Sequence, residues 1–302
     1  MDPAADEAAE ALFADALTRE ARALSAVVPV LRHLLSCETP ALLSDAILAR
    51  VRGMIADLAA QLLAIAAGRD SAIRLPEAPE SLEPLSERLM ADEGLLAHCH
   101  ALAAEGLIAE RLQQRSAIDP VLTPLLQELI AAEDPAVATL AMSTLAAQSR
   151  FVQSQRRMEL PLNELPPELF HRCIASMPGS AALVGVQASY DEATSRIGLL
   201  ARVVAAMRRG AVAALVLDHA GLALFSSALA DATRQPRAGV LLACHEGQGM
   251  RLALLLRAAG QGPAAIERQL GLVEPAGHMP RALANLAPDR AAALLASGEG
   301  GA

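Results

Sequence analysis

The sequence contains no lysine and no tryptophan, and it is poor in aromatic side chains. All 25 basic residues are arginines, and the aromatic residues are one tyrosine and four phenylalanines. The absence of lysine excludes Schiff-base chemistry and the lysine of a phosphate-binding P-loop. Few aromatic rings are available for base stacking, and a net charge of −9 opposes binding to a phosphate backbone. The sequence therefore predicts no nucleic-acid partner.

Cysteine is also scarce. The four cysteines are Cys37, Cys99, Cys173 and Cys244, and none of them forms a C-x-x-C pair. A chain of 302 residues buries enough surface to fold without disulfide bonds. The N-terminal residues are acidic, unlike the positive first region of a secretion signal. These features are typical of a reducing compartment, so we expect a cytoplasmic protein.

Long apolar runs are absent, apart from one stretch over residues 210–230 that approaches the length of a membrane span. Asp218 and His219 lie at its centre, where ionisable side chains would be costly in a bilayer. We therefore expect no membrane span, and a buried core helix or two short helices instead. Because 53% of the chain is apolar, a partner or self-association is expected to cover some helix face, and this stretch is the candidate.

Alanine and leucine are plentiful, and both are strong helix formers, whereas the residue types that favour strands are less common. The sequence therefore predicts an all-α fold of about fourteen helices. The predicted helices cover about 3–24, 27–36, 40–67, 81–91, 93–115, 167–177, 190–209, 218–233, 236–246, 248–259, 263–272 and 288–297, with two more that begin at Pro120 and Pro135.

Residues 159–167, with the sequence ELPLNELPP, contain three prolines, which interrupt a helix. This segment is the predicted boundary between an N-terminal helical region, residues 1–160, and a C-terminal helical region, residues 161–302.

One internal repeat is visible. Residues 31–51, LRHLLSCETPALLSDAILARV, align without gaps with residues 126–146, LQELIAAEDPAVATLAMSTLA. The alignment places Pro40 on Pro135. In the second copy, Asp134 is expected to cap a helix whose first residue, Pro135, fixes the turn. Both copies therefore predict a helix, a proline turn and a second helix.

The second copy resembles a HEAT unit, with Val137 in the second position after the proline and Ala141 four residues later. The arginine that often follows that valine is replaced by Ala138. The resemblance to HEAT-like helical proteins of bacteria implies an α-solenoid-type stack of antiparallel helix pairs. It also implies a scaffold or adaptor that acts through protein–protein interaction. An irregular helical bundle is the alternative fold.

Each cysteine has a histidine nearby in the sequence, as His33 precedes Cys37 and His98 and His100 flank Cys99. Thiolate and imidazole are common zinc ligands, but structural zinc sites normally supply close cysteine pairs. The sequence therefore predicts no metal site. His100 is followed two residues later by Leu102, as in histidine phosphotransfer modules, although their Lys-Gly is missing. A signalling module with His100 as phosphoacceptor is the alternative function.

Motifs of hydrolases, zinc proteases and dinucleotide-binding enzymes are absent. The sequence lacks G-x-S-x-G and H-E-x-x-H, and Gly247-x-Gly249 lacks the further glycine of a phosphate-binding loop. We therefore expect no enzyme and no cofactor.

Basic residues are concentrated at Arg150, Arg156 and Arg157. Guanidinium groups pair with carboxylates in a bidentate geometry, so these three arginines are the predicted contacts for an acidic partner segment. Arginines near a helix end can equally stabilise the helix dipole or form surface ion pairs.

Overall fold

The structure is a computed structural model that describes residues 3–36, 44–74, 76–177, 181–274 and 281–299. These residues form fifteen α-helices, four 3-10 helices and no strand, which confirms the all-α prediction. The α-helices are α1 (Pro3–Ser25), α2 (Val27–Ser36), α3 (Asp45–Ala66), α4 (Pro79–Met90), α5 (Glu93–Ser116), α6 (Pro124–Ile130), α7 (Pro135–Arg157), α8 (Pro167–Ala175), α9 (Ala181–Ser189), α10 (Arg196–Met207), α11 (Leu217–Thr233), α12 (Arg237–Ala243), α13 (Gly249–Ala258), α14 (Pro263–Val273) and α15 (Pro288–Glu299). The 3-10 helices are Leu162–Glu164, Glu192–Thr194, Arg208–Leu215 and Arg281–Asn285.

Only one of the two Asp-Pro pairs begins a helix as predicted. Helix α7 begins at Pro135, and Asp134 Oδ1 accepts the backbone N–H of Ala136 at 2.9 Å. Asp119 instead closes a turn, because its Oδ1 accepts the backbone N–H groups of the two residues after Pro120. The next helix, α6, begins at Pro124 and is capped by the side chain of Thr123. A threonine cap followed by proline therefore takes the role that the sequence assigned to Asp119.

Contacts between residues divide the chain into two compact units. Unit 1 comprises Met1–Val27, Leu107–Ala141 and Val203–Ala302, and unit 2 comprises Val28–Gly106 and Met142–Arg202. The predicted boundary at residue 160 does not coincide with this division, since residues on both sides of it belong to unit 2. The reason is that the proline-rich segment is anchored to α3 by hydrogen bonds, which are described with the site below.

Within unit 1, α13 is a central helix. Leu252, Leu254 and Leu255 are completely buried, and α13 packs against α1, α11, α12, α14 and α15. In a solenoid, each repeat contacts only its neighbours in sequence. The arrangement around α13 favours the bundle alternative for this unit, while the HEAT-like order of the whole chain stays a prediction. The turn of the first repeat copy, with Pro40, lies outside the described residues.

The apolar stretch 210–230 is not an exposed face, contrary to expectation. Helix α11, which holds most of it, is part of the core of unit 1, and Phe225 and Leu229 are completely buried. The stretch begins in the 3-10 helix Arg208–Leu215, and the non-helical backbone at Gly221 (φ 71°, ψ 163°) divides α11 into two parts, so it is not one continuous helix. Among the described helices, none has the length and apolar character that a bilayer crossing requires.

Glu20 of α1 caps the N-terminus of α13. A carboxylate oxygen of Glu20 accepts the backbone N–H of Arg251 at 2.9 Å, in a position that favours negative charge. Burial nevertheless raises the pKa of Glu20 from 4.5 to about 7, because desolvation outweighs the hydrogen bonds from the backbone of Arg251 and Met250. The folded protein therefore binds a proton at Glu20 more tightly than the unfolded chain does.

This raised pKa predicts that stability falls as pH rises. Between about pH 4.5 and 7 the folded state holds more protons than the unfolded state, so the free energy of unfolding decreases across that window. We expect the free energy of unfolding to fall by about 1–2 kcal/mol. This is less than the full pKa shift of Glu20 would give, because the side chain is partly exposed and solvent screens its charge. Urea denaturation at pH 5 and pH 8 should show a loss of stability in the wild type that is smaller by about this amount in Glu20→Gln. Exposed Glu267→Gln is the control, and an unchanged pH dependence in Glu20→Gln would contradict the prediction.

Candidate partner-binding site

A cavity of about 580 Å³ lies entirely within unit 2, among the end of α7, the segment that follows it and the start of α10. Its volume is in the range of ordinary ligand sites. Polar and apolar side chains both line it: Leu102, Arg150, Phe151, Gln153, Ser154, Gln155, Arg157, Glu159, Leu160, Pro161, Asn163, Glu164, Thr194, Arg196 and Ile197.

Helix α7 supplies the cationic wall of the cavity. Arg150, Gln153, Ser154 and Arg157 line it, and their spacing of three, four and seven residues places them on one helix face. Arg156 is exposed on α7 but does not line the cavity. The structure thus brings two of the three predicted contact arginines together at one site and leaves the third outside it.

These three arginines differ from most others in unit 2 because they form no ion pair with any described residue. Arg172, by contrast, pairs with Asp92 at 2.7 Å, and Arg32 pairs with Glu93 at 3.0 Å. All three α7 arginines are exposed. Their guanidinium donors therefore remain available to a group from outside the chain.

A buried ion pair lies behind the cavity. The guanidinium of Arg196 forms a bidentate pair with Glu105, with N–O distances of 2.7 and 2.8 Å, and also donates to Gln148 at 3.1 Å. The two charged side chains are only 3% and 1% exposed. The guanidinium carbon of Arg196 lies 3.6 Å from the centre of the Phe151 ring, a cation–π contact. The positive charge of Arg196 is therefore neutralised from within.

The start of α10 is fixed by two acceptors. The backbone N–H of Arg196 donates to Glu164 at 2.7 Å, and Ser195 Oγ accepts the N–H of Gly198 at 3.1 Å. Both interactions satisfy amides that have no partner inside the helix. A side chain at Gly198 would place its Cβ 2.2 Å from the carbonyl oxygen of Glu192. Glycine thus allows the preceding turn to pack closely against α10 and to set the direction of Arg196.

The proline-rich segment forms another wall, held by α3. The Leu160 N–H donates to Asp57 at 2.9 Å, and Gln61 both accepts the N–H of Leu162 at 2.9 Å and donates to the carbonyl oxygen of Leu160 at 2.8 Å. Burial raises the pKa of Asp57 despite these hydrogen bonds and the nearby Arg74. A segment that reads as a linker in the sequence is therefore a fixed structural part of the site.

This wall carries negative charge. Glu159 and Glu164 both line the cavity and are half-buried. Glu164 accepts the backbone N–H of Arg196, whereas the carboxylate of Glu159 has no hydrogen bond or ion pair to a described residue. Arg157 is two residues from Glu159, yet the two do not pair. The cavity therefore presents unpaired groups of both signs.

His100 lies on α5, as predicted, but its side chain is 7% exposed. A phosphoacceptor imidazole has to reach the phosphate donor in solvent, so this burial disfavours the signalling alternative.

The neighbouring Cys99 is completely buried, and burial raises the pKa of its thiol. Burial also raises the pKa of Cys173 to about 12, so neither thiol tends to form a thiolate. In the described part of the chain, no three His, Cys, Asp or Glu side chains are grouped to hold a metal ion. Cys37 and the side chain of His33 lie outside the described residues.

Glu105 and Arg196 were not predicted as residues of the site. A signal for Glu105 existed, because it lies among the buried Ala101, Leu102 and Ile108 at helical spacing on α5. A charged residue in an apolar stripe requires a partner. The identity of that partner, 91 residues away, has no local signal.

No protein-family model matches the sequence, and neither a curated protein nor a solved structure is significantly similar to the chain.

Proposed function

We propose that this protein is a helical scaffold or adaptor that binds an acidic segment of a partner protein at the α7 arginines. The observation that carries the proposal is the position of Arg150 and Arg157, which are exposed, lack ion pairs to described residues and line a cavity of about 580 Å³. A carboxylate in the cavity can accept charge-assisted hydrogen bonds from these guanidinium groups.

The apolar part of the cavity supports a protein segment as the ligand. Phe151, Leu160 and Ile197 line the cavity beside the two arginines. An acidic segment with an apolar residue can thus bury that residue while its carboxylates reach α7. The chain as a whole carries a charge of −9, so binding depends on this local cationic wall and weakens as salt increases.

The HEAT-like order of the helices and the cytoplasmic location belong to the same proposal. The helix–proline–helix unit around Pro135 supports the former, and the wide spacing of the cysteines supports the latter. Self-association is the other form of the proposal, in which the acidic segment belongs to a second copy of the chain.

Charge reversal of the two cavity arginines tests the proposal. In the Arg150→Glu/Arg157→Glu double variant, we expect a labelled peptide with aspartates on both sides of a leucine to bind about ten- to a hundredfold more weakly, because attraction becomes repulsion at two positions. Fluorescence anisotropy at low ionic strength measures the affinity, and light scattering of the free chain identifies self-association.

Arg156→Glu is the matched control, since it makes the same charge change on the same helix outside the cavity. We expect it to change the affinity by no more than about threefold. An equal loss in both variants would contradict a contact within the cavity. An affinity that neither variant changes would contradict the proposed function itself.

A further inference from the structure

The charges of the cavity specify more than an acidic ligand. We infer that the segment bound there is amphoteric, with a carboxylate directed to α7, an apolar residue in the middle and an ammonium or guanidinium group directed to Glu159. This inference rests on the proposed function and adds the order of the acidic, apolar and basic residues in the partner segment.

Charged groups of both signs line the cavity. Arg150, Arg157 and Glu159 all line the cavity, and none of them forms an ion pair with a described residue. A purely acidic ligand would leave the carboxylate of Glu159 unpaired and partly desolvated, and the negative charge of the ligand would repel it. A purely cationic ligand would do the same to the arginines. A ligand with both signs satisfies all three groups.

The wall that carries Glu159 and Glu164 has a negative field. Glu164 is occupied by the backbone N–H of Arg196, and the charge of Glu159 contributes to the raised pKa of Asp57. Arg196, the buried cation that lines the cavity, is already neutralised by Glu105 at 2.7 Å. Glu159 therefore has no ion-pair partner among the described residues, and a cation from outside gains from its field.

The size and the lining of the cavity limit what can bind there. A volume of about 580 Å³ holds a short segment rather than a flat protein face. Phe151, Leu160 and Ile197 line the same cavity as the charged groups and provide apolar contact there. The occupant that fits is an inserted loop or tail of a partner protein in which an apolar residue separates an acidic from a basic one.

The test compares three labelled peptides of equal length on the intact chain. One contains aspartate, leucine and lysine in that order, the second has glutamine in place of the lysine, and the third has asparagine in place of the aspartate. We expect the amphoteric peptide to bind about fivefold more tightly than either of the others. Glu159→Gln should abolish its advantage over the glutamine peptide, and Arg150→Gln should reduce its advantage over the asparagine peptide, since Arg157 remains.

Arg156→Gln is the control and should leave both ratios unchanged. If the aspartate-containing peptides bind and depend on Arg150, but lysine gives no advantage or Glu159→Gln retains it, the amphoteric inference fails and the proposed function stands. If aspartate makes no difference to binding, the proposed function fails. If free glutamate or free lysine competes with an affinity equal to that of the peptide, the cavity binds small molecules and the inference of a protein segment is wrong. If the chain forms dimers that depend on Arg150, the bound segment belongs to a second copy of the chain and not to a different protein.

Discussion

Replacing Glu105 by alanine is expected to lower the free energy of unfolding by about 3–5 kcal/mol, the range for loss of one partner from a buried ion pair. The reason is that Arg196, whose side chain is 3% exposed, would keep its charge in the interior without a carboxylate. Gln148 and the Phe151 ring remain beside it, but neither carries a negative charge. Urea denaturation of Glu105→Ala and the wild type measures the difference.

A double variant separates the cost of an orphaned charge from the value of the pair. Replacing Glu105 by leucine and Arg196 by methionine removes both charges and retains apolar volume, so we expect stability within about 2 kcal/mol of the wild type. A loss below about 1 kcal/mol in Glu105→Ala would contradict the prediction. It would mean that the Arg196 side chain turns into the cavity and reaches solvent, and the single variant would then also bind the acidic peptide more tightly.

The helices were accessible from sequence because they depend on local chemistry. Abundant alanine and leucine, helical spacing and a proline after a cap are all written in short segments, and they predict α7 to its first residue. Asp119 shows the limit of such signals. Its carboxylate can cap a turn or a helix, and only the competing cap at Thr123 determines which one forms.

The site was only partly accessible from sequence. The sequence shows that three arginines cluster on α7. It does not show that Arg150 and Arg157 line the cavity while Arg156 lies outside it, because this depends on what packs beside each helix face. Burial of His100 and the pairing of Glu105 with Arg196 are likewise long-range results. The proline-rich segment predicts a boundary because its prolines are visible in the sequence, whereas the hydrogen bonds that Asp57 and Gln61 accept from its backbone are not.

Gly221→Ala is expected to lower the free energy of unfolding by about 3–5 kcal/mol. The backbone at Gly221 (φ 71°, ψ 163°) lies in a region that only glycine occupies readily. An added Cβ would also lie 2.3 Å from Cγ2 of Thr123. Thr123 is buried and caps α6, so it cannot move away without exposing the helix terminus.

Two variants divide this loss into its causes. Thr123→Ser removes the obstructing methyl group but keeps the capping hydroxyl, so Gly221→Ala should cost less in that background, with about 1–3 kcal/mol of backbone strain remaining. Gly185→Ala, at an exposed position of α9 with open space around it, should instead stabilise by up to about 1 kcal/mol. Denaturation midpoints and slopes of the wild type, Gly221→Ala, Thr123→Ser, the Thr123→Ser/Gly221→Ala double variant and Gly185→Ala measure these differences. If Gly221→Ala is as stable as the wild type or more stable, as expected for Gly185→Ala, the prediction is wrong. Helix α11 would then be continuous in solution, without the positive φ at Gly221 that divides it.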